Sequence, residues 1–155
     1  YYELNDRAAR SGYVDLVDVE AFREEERTSE EIRKLQSAGV HVIASFHNFD
    51  RTPDREELIR RLTRMQEMGA DVAKIAVMPQ SREDVMTLME ATMEADHSLD
   101  IPVVTMSMGR LGVLSRLAGT LTGSAMTFAS VGEASAPGQI PIEQMRVFCQ
   151  LLSMK

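Results

Sequence analysis

The chain has 155 residues, 44% hydrophobic and 26% charged, a size and balance that fit one globular domain with a real core. Its net charge of −7 argues against a nucleic-acid surface, and no apolar run approaches the ~20 residues that span a bilayer. A single cysteine, Cys149, excludes an internal disulfide.

No signal peptide is visible and no Cys or His cluster has metal-ligand spacing, so a reducing cytoplasm fits. The chain does not begin with Met, and its first residues, 2–10, already read as helix, which suggests a piece cut from something longer. Apolar β-type runs follow at 13–19, 40–46, 72–78, 101–106 and 124–128, each about one βα unit after the last. Between them lie stretches with helix-period apolar positions at 28–38, 54–68, 82–95, 111–121 and 142–152. The clearest is 54–68: Pro53 opens it, Leu58, Leu62 and Met65 mark one face, and Gly69 stops it. The acidic run Glu24-Glu25-Glu26 reads as a solvated loop, and Cys149 as a small buried residue on the last helix.

Strict β-α alternation predicts a parallel sheet covered by helices. No glycine fingerprint follows the first strand, which weighs against a dinucleotide fold. The polar residues of interest fall at strand C-terminal ends, which favours a (β/α)8 TIM-barrel type. A full barrel takes about 250 residues. Five strands are too few to close it, so the expectation is a single domain over residues 1–155, about five βα units of an incomplete barrel, its C-terminal part.

One residue stands out. Of 17 basic side chains only three are lysines, and Lys74 lies inside the apolar run Val72-Ala73-Lys74-Ile75-Ala76-Val77-Met78. An ammonium buried there loses hydration, which disfavours its charged form, and a neutral amine is a nucleophile towards carbonyls. The plain alternative is a lysine on a sheet edge or one snorkelling to water. His47 follows the strand Val42-Ile43-Ala44-Ser45-Phe46 and is a candidate general base. On consecutive strands, 27 residues apart, His47 and Lys74 would meet in one barrel mouth. An amine that forms an iminium and a base that removes the adjacent proton make a coherent pair for enolisation, elimination or aldol chemistry.

His41 starts its strand, at the stability end of a barrel, and His97 sits beside Asp96 near a helix end, so both are weaker candidates. Arg116 suits bidentate binding of a carboxylate, or is a surface helix arginine. Ser135-Ala136-Pro137-Gly138-Gln139 is a turn-forming loop whose hydroxyl and amide could bind substrate hydroxyls, or only connect. Asp18 and Glu20 alternate with Val17 and Val19; a carboxylate there could orient Lys74, bind a hydroxyl, or serve as an N-cap or structural salt bridge. The 11 methionines read mainly as core filler.

Six stretches carry a family resemblance: Ser11-Gly12-Tyr13-Val14-Asp15-Leu16-Val17-Asp18-Val19-Glu20, Ser45-Phe46-His47-Asn48-Phe49 with Thr52-Pro53, Lys74-Ile75-Ala76-Val77-Met78-Pro79-Gln80-Ser81, Thr105-Met106-Ser107-Met108, Ser115-Arg116-Leu117-Ala118-Gly119, and Ala134-Ser135-Ala136-Pro137-Gly138-Gln139. Together they resemble type I 3-dehydroquinate dehydratase, a Schiff-base lyase of the shikimate pathway, over essentially the whole chain. The resemblance implies that Lys74 forms an imine with the C3 carbonyl of 3-dehydroquinate. It implies that His47 removes a C2 proton and protonates the departing C1 hydroxyl, with no metal or organic cofactor. It implies that Arg116 binds the substrate carboxylate and that Ser135 and Gln139 belong to a loop closing over substrate. A homodimer is open to such a chain. Family strands not matched here carry further substrate-binding groups and a glutamate that pairs with the histidine. The resemblance therefore leaves His47 without that partner and the barrel wall beside Lys74 open to water. The competing readings are another lysine-dependent barrel enzyme of the class I aldolase type, and an inactive, self-associating fragment with open strand edges.

Overall fold

A computed structural model describes residues 1–153. Four parallel strands, β1 (Leu16–Glu20), β2 (His41–Asn48), β3 (Val72–Val77) and β4 (Val103–Ser107), form one sheet in chain order. Helices α1 (Tyr2–Ala9), α2 (Glu25–Ser37), α3 (Arg55–Glu67) and α4 (Arg82–Ser98) alternate with them. Two short helices, α5 (Val113–Leu117) and α6 (Gly119–Thr122), come next. A separate parallel pair, β5 (Ala129–Ser130) and β6 (Ile140–Pro141), leads into α7 (Ile142–Ser153). Sequential parallel order with a helix in each crossover is the wall of a TIM-type barrel.

The helices form where caps and apolar spacing agree. Asp54 caps α3 by accepting a hydrogen bond from the Glu57 N–H at 2.8 Å, and Leu58, Leu62 and Met65 are fully buried on one face. Each such side chain contributes about 2 kcal/mol through burial. Ser81 and Asp84 make a reciprocal capping box at the start of α4.

Strand register sorts side chains onto two faces. Val17 and Val19 of β1, Val42 and Ala44 of β2, and Ala73, Ile75 and Val77 of β3 pack beneath the helices in the main core. The alternate positions, including Ile43, Val72, Ala76, Val104 and Met106, form a second, smaller cluster on the concave side. Every residue of β3 and of β4 is buried, as expected of parallel strands covered on both faces.

Four expectations are corrected. The run 124–128 is not a ladder strand. It lies beside β4, but the Ser124 hydroxyl takes the Thr105 N–H at 3.0 Å, and only the Ala125 N–H reaches a strand carbonyl, that of Val103 at 2.8 Å. The predicted helix 111–121 is broken into α5 and α6 at Ala118–Gly119, where a Cβ on Gly119 would lie 2.8 Å from the Ser124 carbonyl oxygen. Glu25 and Glu26 are the first turn of α2, where acidic side chains face the positive end of the helix dipole. Cys149 is exposed, because α7 buries Met145 near its start and leaves its later apolar residues, Val147 to Leu152, uncovered.

Candidate active site

Register puts the chemistry on the concave face. Glu20 is aligned with Ser45, Ser45 with Lys74, and His47 with Ala76. Asp18 and Glu20 of β1, Ser45 and His47 of β2 and Lys74 of β3 thus occupy the same parity and face the same space.

Lys74 is 9% exposed, and its Nζ donates to Asp18 Oδ2 at 2.6 Å. The Phe128 ring lies over the ammonium, 5.3 Å from Nζ to its centroid. The amine is therefore neither stranded in hydrocarbon nor open to water: a carboxylate holds it under an aromatic cover. The other Asp18 oxygen accepts a 2.5 Å hydrogen bond from Ser45 Oγ.

His47 has a partner within this chain. Its Nδ1 lies 2.7 Å from Glu20 Oε2, and its backbone N–H donates to Glu20 Oε1 at 3.2 Å. A carboxylate accepts, so Nδ1 donates and Nε2 is left as the basic nitrogen. Glu20 thus gives His47 a carboxylate partner from within the chain, which the resemblance did not provide. Phe49 stacks on the imidazole at 6.1 Å.

Arg116 is only 3% exposed, and among the described residues no carboxylate neutralises it. Its Nη2 donates to the Pro137 carbonyl at 3.1 Å, Nη1 lies 3.7 Å from Met106 Sδ, and Nε has no hydrogen-bond partner among the described residues. Burial pushes its guanidinium below the usual arginine value. It is a buried cation whose Nε donor is unused among the described residues. Its position follows from the turn before it. Ser115 Oγ accepts from the Ser107 N–H at 2.8 Å and donates to the Gly112 carbonyl at 2.7 Å, fastening α5 to the end of β4.

In the following loop, Ser135 donates to Gln139 Oε1 from its N–H at 2.8 Å and its hydroxyl at 3.1 Å. Gly138, at φ +78°, presses on Gly109: a Cβ there would lie 2.4 Å from the Gly109 oxygen. The loop is thereby pinned to the end of β4.

A cavity of about 300 Å³ is lined by His47, Lys74, Arg116, Ser135 and Gln139, with Phe49, Met106, Met108 and Phe128 among its apolar walls. All five site residues expected from sequence share it. His41 lies apart and pairs with Asp71 at 3.2 Å, and His97 is an exposed residue bonded to the Met93 carbonyl. Sequence reasoning gave no role to Ser45 or Phe128. For Ser45 a signal was present, since it stands two residues before His47 and so shares its face. Among the described residues no group of three His, Cys, Asp or Glu side chains is placed to hold a metal.

An arc of parallel barrel wall with an ion-paired, covered lysine beside a carboxylate-held histidine defines a class: TIM-type barrels whose site is built around a primary amine. The family model for type I 3-dehydroquinase matches residues 1–155, and the chain belongs to that family. It is 51% identical over 152 residues to the 3-dehydroquinate dehydratase of Listeria welshimeri, covering 98% of this chain and 60% of that one. The Klebsiella pneumoniae enzyme of the same name is 51% identical over 154 residues, covering 99% and 61%. The crystal structure of the Geobacillus kaustophilus dehydratase superposes with a TM-score of 0.94 at 46% identity, covering 97% of this chain and 58% of that one. The Clostridium difficile type I enzyme, solved with covalently modified comenic acid, gives a TM-score of 0.93 at 46% identity, covering 98% and 60%. The chain spans about three fifths of the length of the relatives it matches. No helix among the described residues is long and apolar enough to cross a membrane.

Proposed function

We propose that the chain serves the dehydration of 3-dehydroquinate to 3-dehydroshikimate, a hydro-lyase reaction run through an imine. Family membership and the names of the relatives support the reaction. The observation that carries it is the meeting of Lys74, His47 and Arg116 in one cavity, large enough for a small carbocyclic acid.

Lys74, once deprotonated, adds to the C3 carbonyl, and loss of that oxygen as water leaves an iminium. The iminium draws electrons from C2, and His47 Nε2 takes the C2 proton to give an enamine. The enamine pair then forms the C1–C2 double bond as the C1 hydroxyl departs, protonated by His47 and so released as water. Hydrolysis of the iminium consumes one water and returns carbonyl and amine. Arg116 has donors free for the substrate carboxylate. Ser135 and Gln139 bind substrate hydroxyls, their mutual hydrogen bonds exchanging for bonds to substrate. No metal or organic cofactor enters these steps.

In this reading residues 1–155 form one domain that corresponds to the C-terminal part of the family barrel. Its partner is a small molecule rather than nucleic acid or a membrane, it works in the cytoplasm in aromatic amino acid biosynthesis, and the uncovered apolar side of α7 gives a homodimer a surface.

Incubation with 3-dehydroquinate and borohydride, followed by intact mass, tests the reading. A reduced adduct on the chain that is absent from Lys74→Ala is expected. No adduct, or one that persists in Lys74→Ala, counts against it.

A further inference from the structure

We infer that Ser45 is a positioning residue of this site: its hydroxyl locks the Asp18 carboxylate so that the second Asp18 oxygen meets the Lys74 amine. The inference rests on reading Lys74 as the reacting amine. Ser45 is 1% exposed and has one proton to give. Its acceptors are Asp18 Oδ1 at 2.5 Å, the Val19 carbonyl at 3.4 Å and Glu20 Oε2 at 3.5 Å. The proton therefore goes to Asp18.

Asp18 needs the lock. Its side chain is 38% exposed, and the terminal carboxylate torsion is broad, so its own conformation does not fix which oxygen faces the amine. Among the described residues, the charged and titratable groups facing this space are Asp18 and Glu20 from β1, His47 from β2 and Arg116 from α5; β4 contributes Val104 and Met106. Two like charges on alternate residues of one strand thus compete for one amine and one imidazole. The hydroxyl, lying between them, ties Asp18 to Lys74 and leaves Glu20 to His47.

The chain's three lysines make a direct test, because Lys34 and Lys155 serve as references for Lys74 in the same sample. Rates of reductive methylation by formaldehyde and cyanoborohydride would be read residue by residue by peptide mass spectrometry. Wild type, Ser45→Ala, Asp18→Asn and the double variant would be compared at one pH. Freed from its carboxylate, the amine reacts faster. Ser45→Ala is expected to raise the Lys74 rate about threefold or more relative to the references. Asp18→Asn should raise it further, and Ser45→Ala should add nothing in the Asp18→Asn background. Ser45→Cys, which holds the volume but weakens the donor, should follow Ser45→Ala and stands in for it if the alanine variant does not fold. A Lys74 rate unchanged or lowered by loss of the hydroxyl, or raised equally in both backgrounds, would overturn the inference. Formaldehyde is not the proposed substrate, so this result stands whether or not 3-dehydroquinate forms an adduct.

Discussion

At the scale of single residues, the site is a set of assignments between charges. Asp18 holds the Lys74 amine and Glu20 holds the His47 imidazole. The Glu20 contact yields a prediction independent of turnover. Nitrogen NMR of the His47 ring in wild type should report a protonated Nδ1 and a bare Nε2. In Glu20→Ala that preference should be lost, and any turnover of 3-dehydroquinate should fall by about 100-fold. A ring tautomer indifferent to Glu20 would remove it from the site. Lys74 and His47 are legible in sequence because each breaks the pattern around it: a cation in an apolar run, and an imidazole just after one. Ser45 breaks no pattern, since a small hydroxyl residue inside a strand is ordinary. Its importance arises only from the two carboxylates that another strand brings to it.

At the scale of elements, the turn from β4 to α5 decides where Arg116 points. A Cβ on Gly112 would lie 2.2 Å from the Ser107 carbonyl oxygen, a backbone atom that cannot swing aside. Gly112→Ala should therefore destabilise the chain by about 1–3 kcal/mol in denaturant unfolding. It should also weaken binding of carboxylate-bearing ligands, because α5 carries the guanidinium with it. A variant as stable as wild type would show that the turn has slack. The helices α2, α3 and α4 are readable from periodicity because each pairs an apolar stripe with a cap or a glycine stop. Beyond β4 that agreement ends. The run 124–128 has strand-like composition, but Ser124 satisfies the neighbouring strand through its side chain, and no propensity encodes such a substitution.

At the scale of the whole molecule, one polar joint links a helix and two strands at the end opposite the cavity. Asp71, just before β3, accepts from Gln36 of α2 at 3.0 Å and from the Val42 N–H of β2 at 2.8 Å, and meets His41 at 3.2 Å. Burial by itself would raise its carboxyl, but these hydrogen bonds outweigh it and hold the group below its ordinary value. A carboxyl depressed in the folded state adds stability above its unfolded value of about 3.9, and that stability is lost as pH falls through the lower folded value. Asp71→Asn should cost about 1 kcal/mol near neutral pH. The gap between variant and wild-type unfolding curves should close on acidification below about pH 4. A gap that persisted into acid would mean that the joint works by shape and not by charge. The fold class was readable because β-α alternation has few architectures open to it. The joint was not, because its parts are 35 residues apart and meet only when the strands align.

The parity of these strands also has a genetic consequence. The polar groups that the strands bring to this face, Asp18, Glu20, Ser45, His47 and Lys74, hang from alternate positions of β1, β2 and β3, with core residues in between. Loss of a single codon inside one of these segments would trade an amine or an imidazole for a methyl group at the cavity. It would also push the charge beneath the helices. A library of one-codon deletions should therefore be silent across much of the surface loops and lethal within these three segments. In them, length can be inherited only in steps of two.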